Sequence, residues 1–236
     1  VRFEVLGTVR VVRGDEGAVS VSEQRRRLLS VLLARANRVV SVDVLGEALW
    51  GEVRGEWPGR PDKSLQMHVL RLRRVLDRSG RLRGESGGYL LEVAPGELDA
   101  AVFADCHGRA RDAVVAGALD EAVGLYRSAL GLWRGEPYAD VDGVEVVGPE
   151  SARLVEARLA AFEELYEVEL ERGAFREVVP ELTERVAQYP LRERFAGQLM
   201  RALWRCGRRA RALTTYRQLR RRLAESLRTE PGVQLR

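Results

Sequence analysis

The chain has 236 residues, 45% apolar and 31% charged, which is a soluble globular composition long enough for two domains of ordinary size. No apolar run approaches the roughly 18 residues of a membrane span and no signal peptide opens the chain. Its two cysteines, Cys106 and Cys206, make no disulfide framework, so a cytoplasmic protein with reduced thiols is expected. The net charge of +4 is unevenly placed: residues 1–93 hold 17 Lys/Arg against 12 Asp/Glu, and residues 94–236 hold 22 against 23. The positive excess therefore lies in the N-terminal third, where a polyanion would be met.

Residues 1–21 alternate, with Phe3, Val5, Val9 and Val11 between polar neighbours, a turn at Gly14-Asp15-Glu16-Gly17, then Val19 and Val21. This predicts a small antiparallel sheet. Ser22 is placed to cap a helix over 23–36, with Leu28, Leu29, Leu32 and Leu33 inward. Asn37-Arg38 ends it, and Val39-Val40 reads as a short extended link. Ser41 caps a second helix holding Val42, Leu45, Ala48 and Leu49. A Gly- and Pro-rich loop from Gly51 to Pro61 follows.

From Ser64 the apolar residues Leu65, Val69, Leu72 and Leu76 form the stripe of a helix docked on a core. Its other side carries Lys63, His68, Arg71 and Arg74, with Arg73 and Arg78 at the margins and no acid between Lys63 and Asp77. A solvated helix normally mixes signs, because acid–base pairs one turn apart stabilise it. This one repels itself unless an anion lies along it. Arg81-Leu82-Arg83 and Tyr89-Leu90-Leu91 then flank Gly84-Glu85-Ser86-Gly87-Gly88, a hairpin whose glycines permit a tight turn. The order sheet, helix, helix, helix, hairpin is that of an α+β winged helix-turn-helix with an added N-terminal sheet, assigned to residues 1–94. A solvated face on a helical domain is the competing reading of the basic helix.

After the turn at Val93-Ala94-Pro95-Gly96, residues 95–236 read as an all-α domain with helices near 99–115, 118–132, 149–171, 175–188, 192–205 and 208–227. Three segments echo one another, beginning at Gly117, Gly173 and Gly207, the last two 34 residues apart. That is the tetratricopeptide period, in which small residues let paired helices approach. Such arrays commonly present a concave surface to a protein; a helical bundle that only stabilises or dimerises the N-terminal domain is the other reading.

Four runs in order carry a family resemblance: Leu33 to Asp43, Ala48-Leu49-Trp50-Gly51, Leu65 to Leu76 and Gly88-Tyr89-Leu90-Leu91. They resemble the streptomycete antibiotic regulatory proteins, whose N-terminal domain is similar to the OmpR-type winged helix. The second half resembles that family's bacterial transcriptional activation domain at Leu98 to Phe103, Leu132 to Tyr138, Gly207 to Leu223 and Glu230-Pro231-Gly232. By this resemblance Arg71 occupies the base-reading position, and Lys63, Ser64, His68 and Arg73 match positions that hold phosphates. Arg73 has a second reading, a pair with Asp77, and His68 a second reading as a half-buried packing residue. Arg74, Arg81 and Arg83 complete the expected DNA-binding set. Where related hairpins carry an Arg able to enter the minor groove, this chain has Glu85, so either Arg81 or Arg83 substitutes or the hairpin contacts little. A second departure is Leu227-Arg228, where relatives place a Gly.

The resemblance implies a transcriptional activator of a secondary-metabolite gene cluster. It implies tandem binding of two copies to direct repeats in double-stranded DNA, recruitment of RNA polymerase holoenzyme through sigma factor and other subunits, and association with the nucleoid. A repressor or architectural factor, and a tetratricopeptide-like interaction module that ignores DNA, are the competing functions. No enzyme, cofactor or metal is expected. His68 and His107 are the only histidines, and zinc takes three or four protein ligands. The only Lys, Lys63, follows Pro61-Asp62 rather than a phosphate-binding Gly-rich loop. The chain opens at Val1 without Met, and larger relatives continue into an ATPase module, so both a complete regulator and the front of a longer one are compatible with it.

Overall fold

A computed structural model describes residues 1–14, 17–76 and 80–235. The expected turn at Asp15-Glu16 and the proposed Arg73–Asp77 pair, with Arg78, lie outside the described residues. Strands β1 (Arg2–Glu4), β2 (Arg10–Arg13) and β3 (Gly17–Val19) form an antiparallel sheet in that order. Phe3 pairs with Val11 across it, and both are fully buried.

Helix α1 (Glu23–Ala34) follows. Ser22 sits at its N-cap, but its side chain caps nothing; the Oγ instead accepts from Arg25 Nε at 2.7 Å. Ser41 does cap α2 (Val42–Trp50), accepting from the Val44 amide. Between α1 and α2, Val39-Val40 is more than a link. It belongs to strand β4 (Val39–Ser41), which pairs with β6 (Gly88–Leu91), itself paired with β5 (Leu82–Glu85). Asn37 makes the turn into β4 at φ +63°, and its amide side chain exchanges two 2.9 Å hydrogen bonds with the Val93 backbone. Gly88 sits so close to β4 that a Cβ there would collide with the Val40 carbonyl oxygen. Helix α3 (Pro61–Val75) starts on Pro61, where the missing amide hydrogen costs nothing, and buries Leu65, Val69, Leu72 and Val75.

The helical half comprises α4 (Asp99–Val115), α5 (Leu119–Gly131), α6 (Gly148–Glu171), α7 (Phe175–Gln188), α8 (Glu193–Arg205) and α9 (Arg209–Leu227). The recurring glycines explain themselves: Gly117, Gly173 and Gly207 turn one helix into the next at φ +75°, +83° and +75°. An L-residue pays a steric cost there that glycine does not.

The chain packs as two compact units, residues 1–107 with 128–158, and residues 108–127 with 159–236. In the first, segment 134–140 runs along the N-terminal strands. The amides of Arg134, Tyr138 and Ala139 donate to the carbonyls of Leu6, Val5 and Gly7 at 2.8, 2.9 and 3.1 Å. Asp140 accepts from the Val9 amide and pairs with Arg26. Asp99 accepts from the amides of Val5 and Leu6. In the second unit α7, α8 and α9 pack in succession, and Glu163, Glu164, Glu167 and Glu169 of α6 are each met by an Arg from outside that helix.

Candidate nucleic-acid interface

The buried stripe of α3 fixes which side chains face outward. Lys63, Gln66, Met67, Leu70, Arg71 and Arg74 are exposed; Ser64, His68 and Arg73 are half-buried. Among the described residues Lys63, Arg71 and Arg74 have no ion pair. Met67 and Leu70 remain 49% and 42% exposed between them. A helix of this kind fits the major groove of B-DNA, where Arg reads guanine O6 and N7 and an apolar side chain meets a thymine methyl.

His68 serves two neighbours. Its ring stands edge-on to Trp50, with centroids 6.5 Å apart, and its Nδ1 is buried without a hydrogen-bond partner. Burial, and then the positive charges of Arg71 and Arg25, hold its pKa below the ordinary histidine value. The imidazole is therefore neutral at neutral pH. The involvement of Arg25 shows that α1 adds positive charge beside α3, a contribution the sequence did not single out.

Both ends of α3 are anchored. At its C-terminus Arg13 of β2 donates from Nε to the Val75 carbonyl at 3.0 Å and from Nη2 to the Arg74 carbonyl at 2.8 Å. A cation on the last carbonyls of a helix also complements its dipole. Arg73 donates from Nε to the Leu82 carbonyl at 2.9 Å, which ties helix to hairpin. Before α3, the loop is pinned by Trp57, whose ring fills the space left by Gly46 and whose Nε1 donates to the Gly51 carbonyl at 2.8 Å.

Between α3 and the hairpin lies an open groove of about 700 Å³, lined by Leu70 and by Arg73, Arg74, Arg81 and Arg83, with no acid in its lining among the described residues. These arginines are not equivalent. Arg81 makes a two-pronged pair with Glu97 (2.8 and 3.2 Å) and lies over the Phe3 ring. Burial pushes the Glu97 carboxyl up, but the bonds from Arg81 and the Ala94 amide outweigh it and hold the group below its usual value. Arg83 is more than half exposed, 3.5 Å from the equally exposed Glu92. Glu85 at the hairpin is exposed. The structure thus brings Lys63, Arg71 and Arg74 onto one open face, sets Arg83 at its edge, and engages Arg73 and Arg81 in internal bonds.

Two family profiles match the chain. Residues 15–89 match the C-terminal domain of transcriptional regulatory proteins, and residues 98–236 match the bacterial transcriptional activator domain. The regulatory protein DnrI of Streptomyces peucetius is 32% identical over 99% of this chain and 89% of its own length. The chain belongs to the streptomycete antibiotic regulatory protein family of transcriptional activators. Within that family it is 42% identical, over 98% of its length, to the regulatory protein AfsR of Streptomyces coelicolor, and spans 23% of that longer protein. The structure of Mycobacterium tuberculosis EmbR in complex with a low-affinity phosphopeptide superposes with a TM-score of 0.92 at 29% identity, covering 99% of this chain and 62% of EmbR. The winged helix and helical halves are therefore arranged in the order that this family uses. The names of these relatives are those of regulators, and none indicates a catalytic activity. Among the described residues no helix is long and apolar enough to cross a membrane.

Proposed function

We propose that this chain is a sequence-specific, DNA-binding transcriptional activator of a secondary-metabolite gene cluster. In this reading residues 1–94 read direct repeats in promoter DNA, and residues 95–236 recruit RNA polymerase holoenzyme. Two copies sit head to tail on repeats about one helical turn apart, and the protein is cytoplasmic and associated with the nucleoid. The observation that carries the reading is the outer face of α3: Lys63, Arg71 and Arg74 exposed, without ion pairs among the described residues and with no acid in the sequence between them.

Arg71, central on that face, is assigned to a guanine edge. Lys63 and Ser64 at the start of α3 and Arg74 and Arg83 at the groove are assigned to phosphates. Arg73 contributes through the guanidinium nitrogens not used on Leu82. His68, neutral, can offer a hydrogen bond but no charge. Arg81 supports the hairpin through Glu97 and contributes positive potential at the groove. Phosphate contacts set register and salt dependence, while base contacts discriminate by about 1–3 kcal/mol each.

The test is selection of random duplex DNA on the purified chain at about 0.15 M salt. Enrichment of a motif repeated at one-turn spacing is the expected result. A motif without a repeat would overturn the head-to-tail assembly, and no enrichment would overturn DNA reading itself. Addition of purified holoenzyme to a template bearing the motif then separates an activator from a repressor.

A further inference from the structure

The near-neutral charge of the helical half hides a sharp division. Residues 94–190 hold nine Arg against 20 Asp/Glu, net −11, whereas residues 191–236 hold 13 Arg against three Glu, net +10. The second stretch is α8, α9 and the tail. Some of its arginines have internal work: Arg192 and Arg194 approach Glu163, Arg201 pairs with Glu167, and Arg220 pairs with Glu230. Arg208, Arg211, Arg217, Arg222 and Arg228 have no ion pair among the described residues.

Beside this surplus lies a groove of about 910 Å³ bounded by α6, α8, α9 and the tail. Its apolar lining includes Met200, Trp204, Leu213 and Val233. Trp204 and Leu213 are 52% and 51% exposed, unusual for such large apolar side chains. Arg209 lies over the Trp204 ring, 4.8 Å from its centroid. The two acids in the lining are already occupied. Glu167 accepts from Arg201 and Gln198, and Glu193 accepts from the Gly232 amide at 2.8 Å. The tail closes one side, because Leu235 packs where a side chain on Gly197 would otherwise sit. Exposed Trp and Arg with a half-buried Met around one concavity is the composition of an interface core rather than of a solvated helix face.

We infer that this groove binds an acidic segment of a partner protein, with bulky apolar side chains seated on Met200, Trp204 and Leu213 and carboxylates facing Arg209 and the exposed Arg194 of the lining. Charge complementarity selects the sign of the partner, and the apolar lining selects its class. A phosphodiester backbone would satisfy the arginines but offers nothing to Trp204, Met200 or Leu213. The inference rests on the reading of residues 95–236 as the half that meets the transcription machinery, and it names the chemistry of that contact.

The experiment is display selection of random peptides of about 16 residues on the full chain, followed by binding of the selected peptides to Trp204→Ala and Arg209→Glu variants. Both positions are exposed, and unchanged circular dichroism and DNA binding will certify each variant. Enrichment of peptides rich in Asp/Glu with Leu, Phe or Trp is expected, with affinity lowered about tenfold or more in each variant. Peptides without acidic bias, undiminished binding to both variants, no enrichment, or displacement of selected peptides only by duplex DNA or by a second copy of the chain would each overturn the groove assignment. The same variants in transcription with purified holoenzyme keep the two readings apart. A wild-type chain that fails to activate removes the recruitment reading. A wild-type chain that activates alongside equally active variants removes only the groove.

Discussion

Helices α3 and α6 both carry a run of one charge, yet they use it differently. On α6, Glu163, Glu164, Glu167 and Glu169 lie within two turns, and each is met by an Arg from another segment of the same compact unit. Arg192 reaches Glu163 and Arg111 reaches Glu164, both at 2.6 Å; Arg201 reaches Glu167 at 2.6 Å, and Arg127 reaches Glu169 at 2.9 Å. Glu163 and Glu169 are buried. On α3 the fold supplies no counter-charge to Lys63, Arg71 or Arg74 among the described residues. Sequence shows the like-charged run in both cases; only the structure shows whether the opposite charge comes from the protein. Where it does, the run holds helices together. Where it does not, the run is left open to a ligand.

The largest effect tests the scaffold that presents α3. Gly88→Ala forces a methyl group into the Val40 carbonyl and must push β6 away from β4. A loss of about 3 kcal/mol is expected, at the high end for overpacking. Denaturant unfolding of residues 1–94 as part of the full chain measures it, and an unchanged midpoint would show that β4 yields freely. DNA binding should fall with stability, because the groove beside α3 depends on the hairpin.

Next come two substitutions that separate the helices. Glu169→Ala strips one partner each from Arg127, which keeps Glu181, and Arg172, which keeps Asp120, and is expected to cost about 2 kcal/mol. That figure is below the range for a fully buried pair because both arginines are partly exposed. It should leave DNA affinity unchanged. Arg71→Ala should do the reverse, weakening binding to the selected motif by about tenfold to a hundredfold with an unaltered melting temperature. If Arg71→Ala retained site selection while losing stability, the contrast between the two helices would collapse.

These effects also show what could be read from sequence. The docked stripe Leu65, Val69, Leu72 and Leu76 was legible because burial on a helix repeats with its turn, and all four are buried. The helix pairs were legible for the same reason, and Gly117, Gly173 and Gly207 because a left-handed turn needs glycine. Pairings between distant segments carry no such period. Nothing local in Val39-Val40 reveals its pairing with β6, nor does the position of Arg13 reveal that it closes the end of α3. Arg81 and Arg83 look alike in sequence. Only the fold, by placing Glu97 under one of them, gives them different work. Ser22 and Ser41 carry the same capping signal, but Arg25 claims the first.

A smaller effect concerns pH. The carboxyls of Glu97 and Glu167 are raised by burial and lowered further by their hydrogen bonds, from Arg81 and the Ala94 amide in one case and from Arg201 and Gln198 in the other. Both end below the ordinary glutamate value. A depressed carboxylate stabilises the fold above its unfolded pKa, about 4.3, and that contribution is lost as pH falls through the lower folded value. Stability should therefore decline below about pH 4.3, and Glu97→Gln should flatten part of that decline. An identical acid profile for Glu97→Gln would mean that Arg81 gains nothing from the charge on its partner.

The smallest expected effect sharpens the contrast at the other end of the chain. Arg228 ends α9 at φ +54° and ψ +35°, a left-handed conformation that glycine adopts at no steric cost. Its steric cost is unrelieved by any ion pair among the described residues, while the Thr229 amide closes the turn on the Leu223 carbonyl. Arg228→Gly removes the Cβ clash but gives the unfolded chain more freedom. Because the native φ already suits glycine, the first effect should win by about 0.5 kcal/mol. Thermal unfolding reads that gain, and peptide and DNA binding by the same variant read the charge. If stability rises and neither affinity changes, Arg228 is a costly cap outside the binding surface. If stability rises but either affinity falls, the strained conformation is tolerated because it holds a cation where a ligand needs it, as proposed for the bare cations of α3.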